Sequence, residues 1–350
     1  MKYDLQLRNK LEDFQLRLQN HGFSQIKLNI VSAGQTALRT RLDFTFFQGA
    51  LGLYNHKRTE IEDINQCLVA EPELNHTLTQ LKKAPWPFAK ASLRLRIGAH
   101  PELKGIWIDA ANIDIKKILE EKTLLEFLTA QGFQIEIGQK KKTPILQGNS
   151  WKLESATTQH WFKTSDGECE IPLHSYISSF TQPGFKSNKL LCDSILNYLQ
   201  QNSCDEIIEF GAGIGNFSFL LAKKAKKLKI YEFDKSILTP LQKTLEENPE
   251  FAKKIEIFCG DFQANLKQKN ISKTGELALV NPPRSGLKAF AEELLEHNNL
   301  RQIIYVSCFA DSFFTDTKVL SRKFKLKDVT LVDQFPNTTH YEIVALFERL

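Results

Sequence analysis

Apolar positions recur at helical spacing in the first twenty residues, where Leu5, Leu11, Phe14 and Leu18 mark one face of an amphipathic helix. The period then shortens. Residues 26 to 31 read as a strand, and TALRTRLDFTFFQGALGLY (residues 36 to 54) predicts a hairpin around the turn-prone Gly49. A helix is expected near Leu74 to Lys82, stopped by PWP at residues 85 to 87. SLRLRIGA (residues 92 to 99) and GIWIDA (residues 105 to 110) read as two more strands, and IKKILEEKTLLEFLTAQG (residues 115 to 132) as one continuous helix. No internal repeat or low-complexity tract interrupts this portion, which predicts a mixed α+β module.

From about residue 187 the pattern alternates strand with helix. A helix through LLCDSILNYLQ precedes the strand EIIEF, a glycine turn and the helix FSFLLAKKA; the strands KLKIYEF, KIEIFCG, ELALVN and QIIYVSC follow, most of them separated by helices. Such alternation requires crossover connections and predicts an α/β fold with a doubly wound, mostly parallel, Rossmann-like sheet. The expected division is an N-terminal α+β domain over residues 1–170 and the α/β domain over residues 171–350. Ligands of doubly wound sheets sit at the carboxyl ends of the strands.

Composition narrows the classes. The chain has 350 residues, 42% hydrophobic and 25% charged, as in ordinary globular proteins. No apolar stretch approaches the ~20 residues that span a bilayer, and the first twenty residues are too charged for a signal peptide, so a cytoplasmic monomer is expected. Six dispersed cysteines offer neither zinc nor iron–sulfur spacing, which predicts reduced thiols, no metal and no cluster. A net charge of +5 neither demands nor excludes a nucleic acid. The lysine clusters at residues 140 to 142 and at Lys223, Lys224, Lys226 and Lys227 read as solvated faces.

The candidate chemistry lies at the strand ends. EFGAGIGN, residues 209 to 216, lets the backbone pass beneath a ligand at Gly211, Gly213 and Gly215, but Asn216 stands where the dinucleotide fingerprint needs its last glycine. Glu232, ending the next strand, is placed to accept from two ribose hydroxyls. This pairing fits either S-adenosylmethionine or a dinucleotide. Asp261 ends the third strand, where an acid can meet an adenine amine. NPPR (residues 281 to 284) ends the fourth, its two prolines stiffening the segment that presents Asn281. Cys308 ends QIIYVSC on the same rim, and Glu342 opens the apolar run IVALF. Taken singly, a buried thiol and a solvated edge acid are the ordinary readings of these two.

Together these motifs resemble the RNA uracil-5 methyltransferases. The likeness spans the last half of the chain, with SFTQP, EFGAGIGNFS, Glu232, NPPRSGL, YVSC and FPNTTHYEIVALFE in the family order. It implies a catalytic domain that uses S-adenosyl-L-methionine to methylate carbon 5 of a uridine in tRNA or rRNA. It implies Cys308 as the nucleophile, Glu342 as the base and Arg284 beside the uracil. The implied cofactor contacts are Gln182, Phe210, Gly211, Gly213, Gly215, Asn216, Glu232, Asp261 and Asn281. Those residue types suit the reaction, since carbon 5 of uracil attacks a methyl sulfonium only after a thiolate has added to carbon 6. Two departures stand out: Asn281 replaces the usual aspartate, and Phe309-Ala310 replaces Asn-Pro after the cysteine. In the N-terminal half RTRLDF is similar to the family's RNA-facing strand, which makes Arg39 and Arg41 candidate phosphate contacts. The family's iron–sulfur cysteines are missing and no oligonucleotide-binding barrel is expected before residue 39, which makes the slim tRNA-type members nearest in build. A non-catalytic RNA chaperone of the same family is the rival reading. An NAD-dependent oxidoreductase leaves NPPR, Cys308 and Glu342 unexplained, and NPPR has no cysteine for a two-cysteine cytosine mechanism.

Overall fold

Eight strands make the sheet that carries the rim motifs. Their spatial order is Lys27–Ser32, Phe324–Asp333, Glu342–Arg349, Gln302–Ser307, Leu277–Val280, Cys204–Phe210, Ala225–Glu232 and Ile255–Cys259. All are mutually parallel except Glu342–Arg349, which runs antiparallel to both its neighbours. The central strand, LALV, is buried at every position, as a parallel strand covered on both faces requires. This computed structural model describes residues 2–55, 57, 59–199, 204–260 and 274–350. The doubly wound α/β reading holds.

The chain forms two units: Met1–Gly34 with Thr164–Ile171 and Lys186–Leu350, and Gln35–Lys163 with Pro172–Phe185. The expected boundary at residue 170 is therefore corrected. The helix Tyr3–Asn20 buries Phe14 and Leu18 in the core of the first unit, and Lys27–Ser32 pairs parallel with Phe324–Asp333, from Lys27 against Asp328 to Ser32 against Asp333. The helical spacing of the first residues is right, but it says which face is buried and not against what.

The second unit is the α+β module. Its eight strands are mostly antiparallel, with one parallel pair between Lys104–Asp109 and Phe133–Ile137. The helices Pro72–Leu81, Asn112–Glu121 and Thr123–Ala130 supply Leu74, Leu78, Ile118, Leu124 and Leu128 to its core. The hairpin turns at Gln48 and Gly49, both at positive φ, the geometry that suits a two-residue turn. The helix expected over residues 115 to 132 is two, because Lys122 sits at φ 63 between them. No helix among the described residues is long and apolar enough to cross a membrane.

Candidate active site

The glycine turn and the acid after it lock together. Gly211 lies at φ 79, and a Cβ there would fall 2.5 Å from the Asn281 carbonyl oxygen, so the crossing of the two strand ends admits no side chain. Gly213, at φ 59, turns its N–H onto Glu232 Oε2 at 2.8 Å, while the Asp234 N–H donates to Oε1 at 2.8 Å. Glu232 is thus buried, with one donor on each oxygen among the described residues. A carboxylate accepts about four hydrogen bonds, which leaves capacity for two hydroxyls. Asn281 ends Leu277–Val280 with its N–H on the Phe210 carbonyl at 3.0 Å, half-buried beside the turn.

Two expected contacts behave differently. Phe210 is corrected: its ring is buried in the core, stacked on Tyr231 at 5.1 Å and edge-on to Phe290 at 4.7 Å, so it supports the turn from beneath. Asn216 exchanges side-chain hydrogen bonds with Asn188 at 2.7 and 2.9 Å, which ties the turn to the helix Phe185–Leu199. Asp261 lies outside the described residues. Gln182 belongs to the second unit and is buried there.

Its segment is gripped by three arginines. Arg41 donates to the Thr181 carbonyl at 3.0 Å, Arg94 to the Ser178 and Ser179 carbonyls, and the fully buried Arg96 to the Tyr176 carbonyl at 3.0 Å and to Thr181 Oγ1 at 2.5 Å. Arg41 also faces Asp43 at 3.5 Å, and burial lowers its guanidinium to about 10. Arg41 is therefore an internal brace, and the expectation of a phosphate contact is corrected. Arg39 is half-buried, its backbone bridging to Ala70. The lysines at 223, 226 and 227 all face carboxylates, as solvated faces do.

The pair Cys308 and Glu342 follows from strand register. Gln302–Ser307 and Glu342–Arg349 are antiparallel with Ser307 opposite Ile343, so Cys308, the residue after the one strand, and Glu342, the residue that opens the other, meet at the same strand end. Burial pushes the Cys308 thiol up, and the Glu342 charge pushes it further. Arg284 opposes both and favours the charged thiolate. Arg284 thus works on the thiol itself. Burial also lifts the Glu342 carboxyl to about 7, moderated by Gln334 Nε2, which donates to Oε1 at 3.0 Å, and by the Arg284 charge. Beyond Cys308, the Ser307 and Ser312 hydroxyls both donate to the Phe309 carbonyl at 3.1 Å, starting the helix Ala310–Leu320 without the usual Asn-Pro.

Sequence reasoning missed two supports. Gln334 sits eight residues before Glu342, in a segment with no periodicity. Asp316 lies within the helix Ala310–Leu320 and accepts from the Leu287 N–H at 2.7 Å and from the Tyr305 hydroxyl at 2.6 Å, which anchors the loop that carries Arg284. An acid on the apolar face of that helix was the available signal.

Comparison with known proteins agrees with this geometry. Residues 2–350 match the profile of the tRNA (uracil-5-)-methyltransferase family. An uncharacterized RNA methyltransferase of Bdellovibrio bacteriovorus is 38% identical over 92% of this chain and 84% of its own length. The 23S rRNA (uracil(1939)-C(5))-methyltransferase RlmD of Haemophilus influenzae is 26% identical over 85% of this chain and 65% of its own. A crystal structure of Pyrococcus abyssi tRNA (uracil-54, C5)-methyltransferase in complex with S-adenosyl-L-homocysteine shares the fold at TM-score 0.74, with 19% identity, covering 99% of this chain and 84% of that one.

Proposed function

The chain belongs to the tRNA (uracil-5-)-methyltransferase family, and from that premise we propose that it methylates carbon 5 of a uridine through a covalent bond between Cys308 and the uracil ring. As a member it is an RNA methyltransferase that uses S-adenosyl-L-methionine. The observation that carries the mechanism is the strand register that brings Cys308 and Glu342 to the same strand end, with the Arg284 charge acting on both.

The cofactor site passes a test of fit. A Cβ at Gly213 would meet nothing within 4 Å, so the turn is open where a ligand must approach, and Glu232 keeps acceptor capacity beside it. The residues that would hold the group are the turn from Gly211 to Gly215, Glu232 and Asn281. When bound, S-adenosyl-L-methionine supplies an electrophilic methyl group.

The chain's own residues do the rest. Arg284 draws the Cys308 thiol toward thiolate against the burial that opposes it. The thiolate adds to carbon 6 of the uracil, and the displaced electron pair moves to the carbon-4 oxygen, leaving carbon 5 nucleophilic. Once carbon 5 carries the methyl group, the Glu342 carboxylate removes its remaining proton. The freed pair closes the double bond between carbons 5 and 6 and expels the Cys308 thiolate. A carboxyl near 7 suits that step, because a base works best with its pKa near the working pH.

Cys308→Ala is expected to abolish methylation. Glu342→Gln is expected to stop later and to accumulate a protein–RNA adduct, seen as a shifted band on a denaturing gel that needs both cofactor and Cys308. RNA containing 5-fluorouridine should trap the intact enzyme at the same stage, since fluorine does not leave as a cation. Full activity in Cys308→Ala would remove the mechanism. We take the substrate to be a uridine of tRNA or rRNA. Mapping 5-methyluridine in both, from cells with and without the protein, identifies which.

A further inference from the structure

Lys10 is a charge buried far along the sequence from every motif above. It lies on the helix Tyr3–Asn20 with 6% of its surface exposed, and its ammonium donates to Asp333 Oδ1 at 2.8 Å, to the Phe335 carbonyl at 3.1 Å and to the His340 carbonyl at 2.9 Å. Burying an ammonium costs several kcal/mol unless its donors are well placed, and here all three have acceptors. Those acceptors share one feature. They stand at the two ends of the loop between Phe324–Asp333 and Glu342–Arg349, so the lysine draws the neck of the loop together.

The same helix holds the loop at further points. Tyr3 donates to Asp333 Oδ2 at 2.7 Å. Gln6 donates to Asn337 Oδ1 and accepts from the Asn337 N–H, both at 2.8 Å, which fixes the tip where Asn337 takes φ 62. Phe14 packs edge-on against Tyr341 with centroids 5.7 Å apart. Gln334, next to the lysine's carboxylate partner, donates to Glu342, and Tyr341 is the residue before Glu342. These contacts of the helix with the loop lie within two residues of Glu342, of Gln334 or of the loop tip.

We infer that Lys10 is a positioning residue for the base: it acts through the loop from Asp333 to Tyr341 to hold Glu342 and Gln334 in place, and it touches no reacting atom. The inference rests on Glu342 being the base. It gives the N-terminal helix a function in the catalytic unit. Loosening the clamp should spare the steps made by Cys308 and slow the one made by Glu342.

The test uses the full chain with a uridine-containing RNA substrate. Lys10→Met should lower kcat by about 10- to 100-fold, the scale of a displacement near 1 Å. KM for RNA and the affinity for S-adenosylmethionine should stay within twofold. Single-turnover methyl incorporation should also hold, while product release slows and the methylated adduct persists on a denaturing gel. Gln6→Ala, at the loop tip, should act in the same direction with a smaller effect, and it serves if Lys10→Met fails to fold by circular dichroism. A folded variant whose kcat is unchanged, or in which incorporation and release fall together, overturns the inference. Failure of the covalent reading looks different: the intact enzyme itself would give no adduct with 5-fluorouridine RNA, and the split between kcat and KM would still decide the role of Lys10.

Discussion

Glu342 opens its strand with one oxygen bonded to Gln334 and almost no water around it, and this sets the pH response of the site. Its carboxyl is lifted to about 7, so the base form is scarce at pH 6 and dominant by pH 8. Turnover should rise across that interval. The Gln334 bond favours the charged form, so Gln334→Ala should move the midpoint to higher pH, in a profile of single-turnover product release. A midpoint that stays put would take Gln334 out of this role. The type of residue 342 was readable as an acid before an apolar run. Its raised carboxyl was not, because burial depends on the elements packed around the strand end and not on the local sequence.

At the scale of elements, the loop that presents Arg284 is held by a carboxylate on a neighbouring helix. Asp316 takes the Leu287 N–H and the Tyr305 hydroxyl, and it approaches Gly286 so closely that a Cβ there would lie 2.5 Å from its oxygen. Asp316→Ala leaves a buried N–H and a buried hydroxyl without an acceptor, at a cost of about 1–3 kcal/mol. It should also reduce turnover by freeing Arg284, with Asp316→Asn intermediate because one acceptor remains. Denaturant unfolding and steady-state kinetics measure the two effects, and a variant as stable and active as the parent would contradict the anchor. NPPR was legible as a stiff strand-end segment. Its anchor was not, since nothing in the local pattern links residues 287 and 316.

Across the whole molecule, buried carboxyls such as Glu209 and Glu342 tie stability to pH. Glu209, fully buried under the glycine turn, is raised to about 8 by burial and then by the charge of Glu232, against a hydrogen bond from Ser218 at 2.6 Å. Its other oxygen has no partner among the described residues. Both Glu209 and Glu342 have folded pKa values above the unfolded value near 4.5. Their contribution is therefore fully present below pH 4.5 and is lost as pH rises through about 7 and 8. Glu209→Gln should flatten the alkaline part of this decline and be the more stable protein at pH 9, by about 1–3 kcal/mol in denaturant titrations. Equal stability of the two proteins at pH 9 would show that Glu209 ionises without strain.

What the sequence by itself determined is local or ordered along the chain. The glycines of the turn, the acid after the next strand, the double proline and the strand-end cysteine each carry their reason in neighbouring residues. The alternation of strand and helix after residue 187 was enough for a doubly wound sheet. Tertiary structure alone decided which distant segments share a unit. It drew the first 34 residues into the unit of the doubly wound sheet and turned Arg41 inward onto Thr181. It also buried Phe210 beneath the turn it was expected to line, and laid Lys10 against the loop before Glu342. The physical reason is the same in each case. Periodicity tells which face of an element avoids water, while the partner that covers that face is chosen by packing among segments hundreds of residues apart.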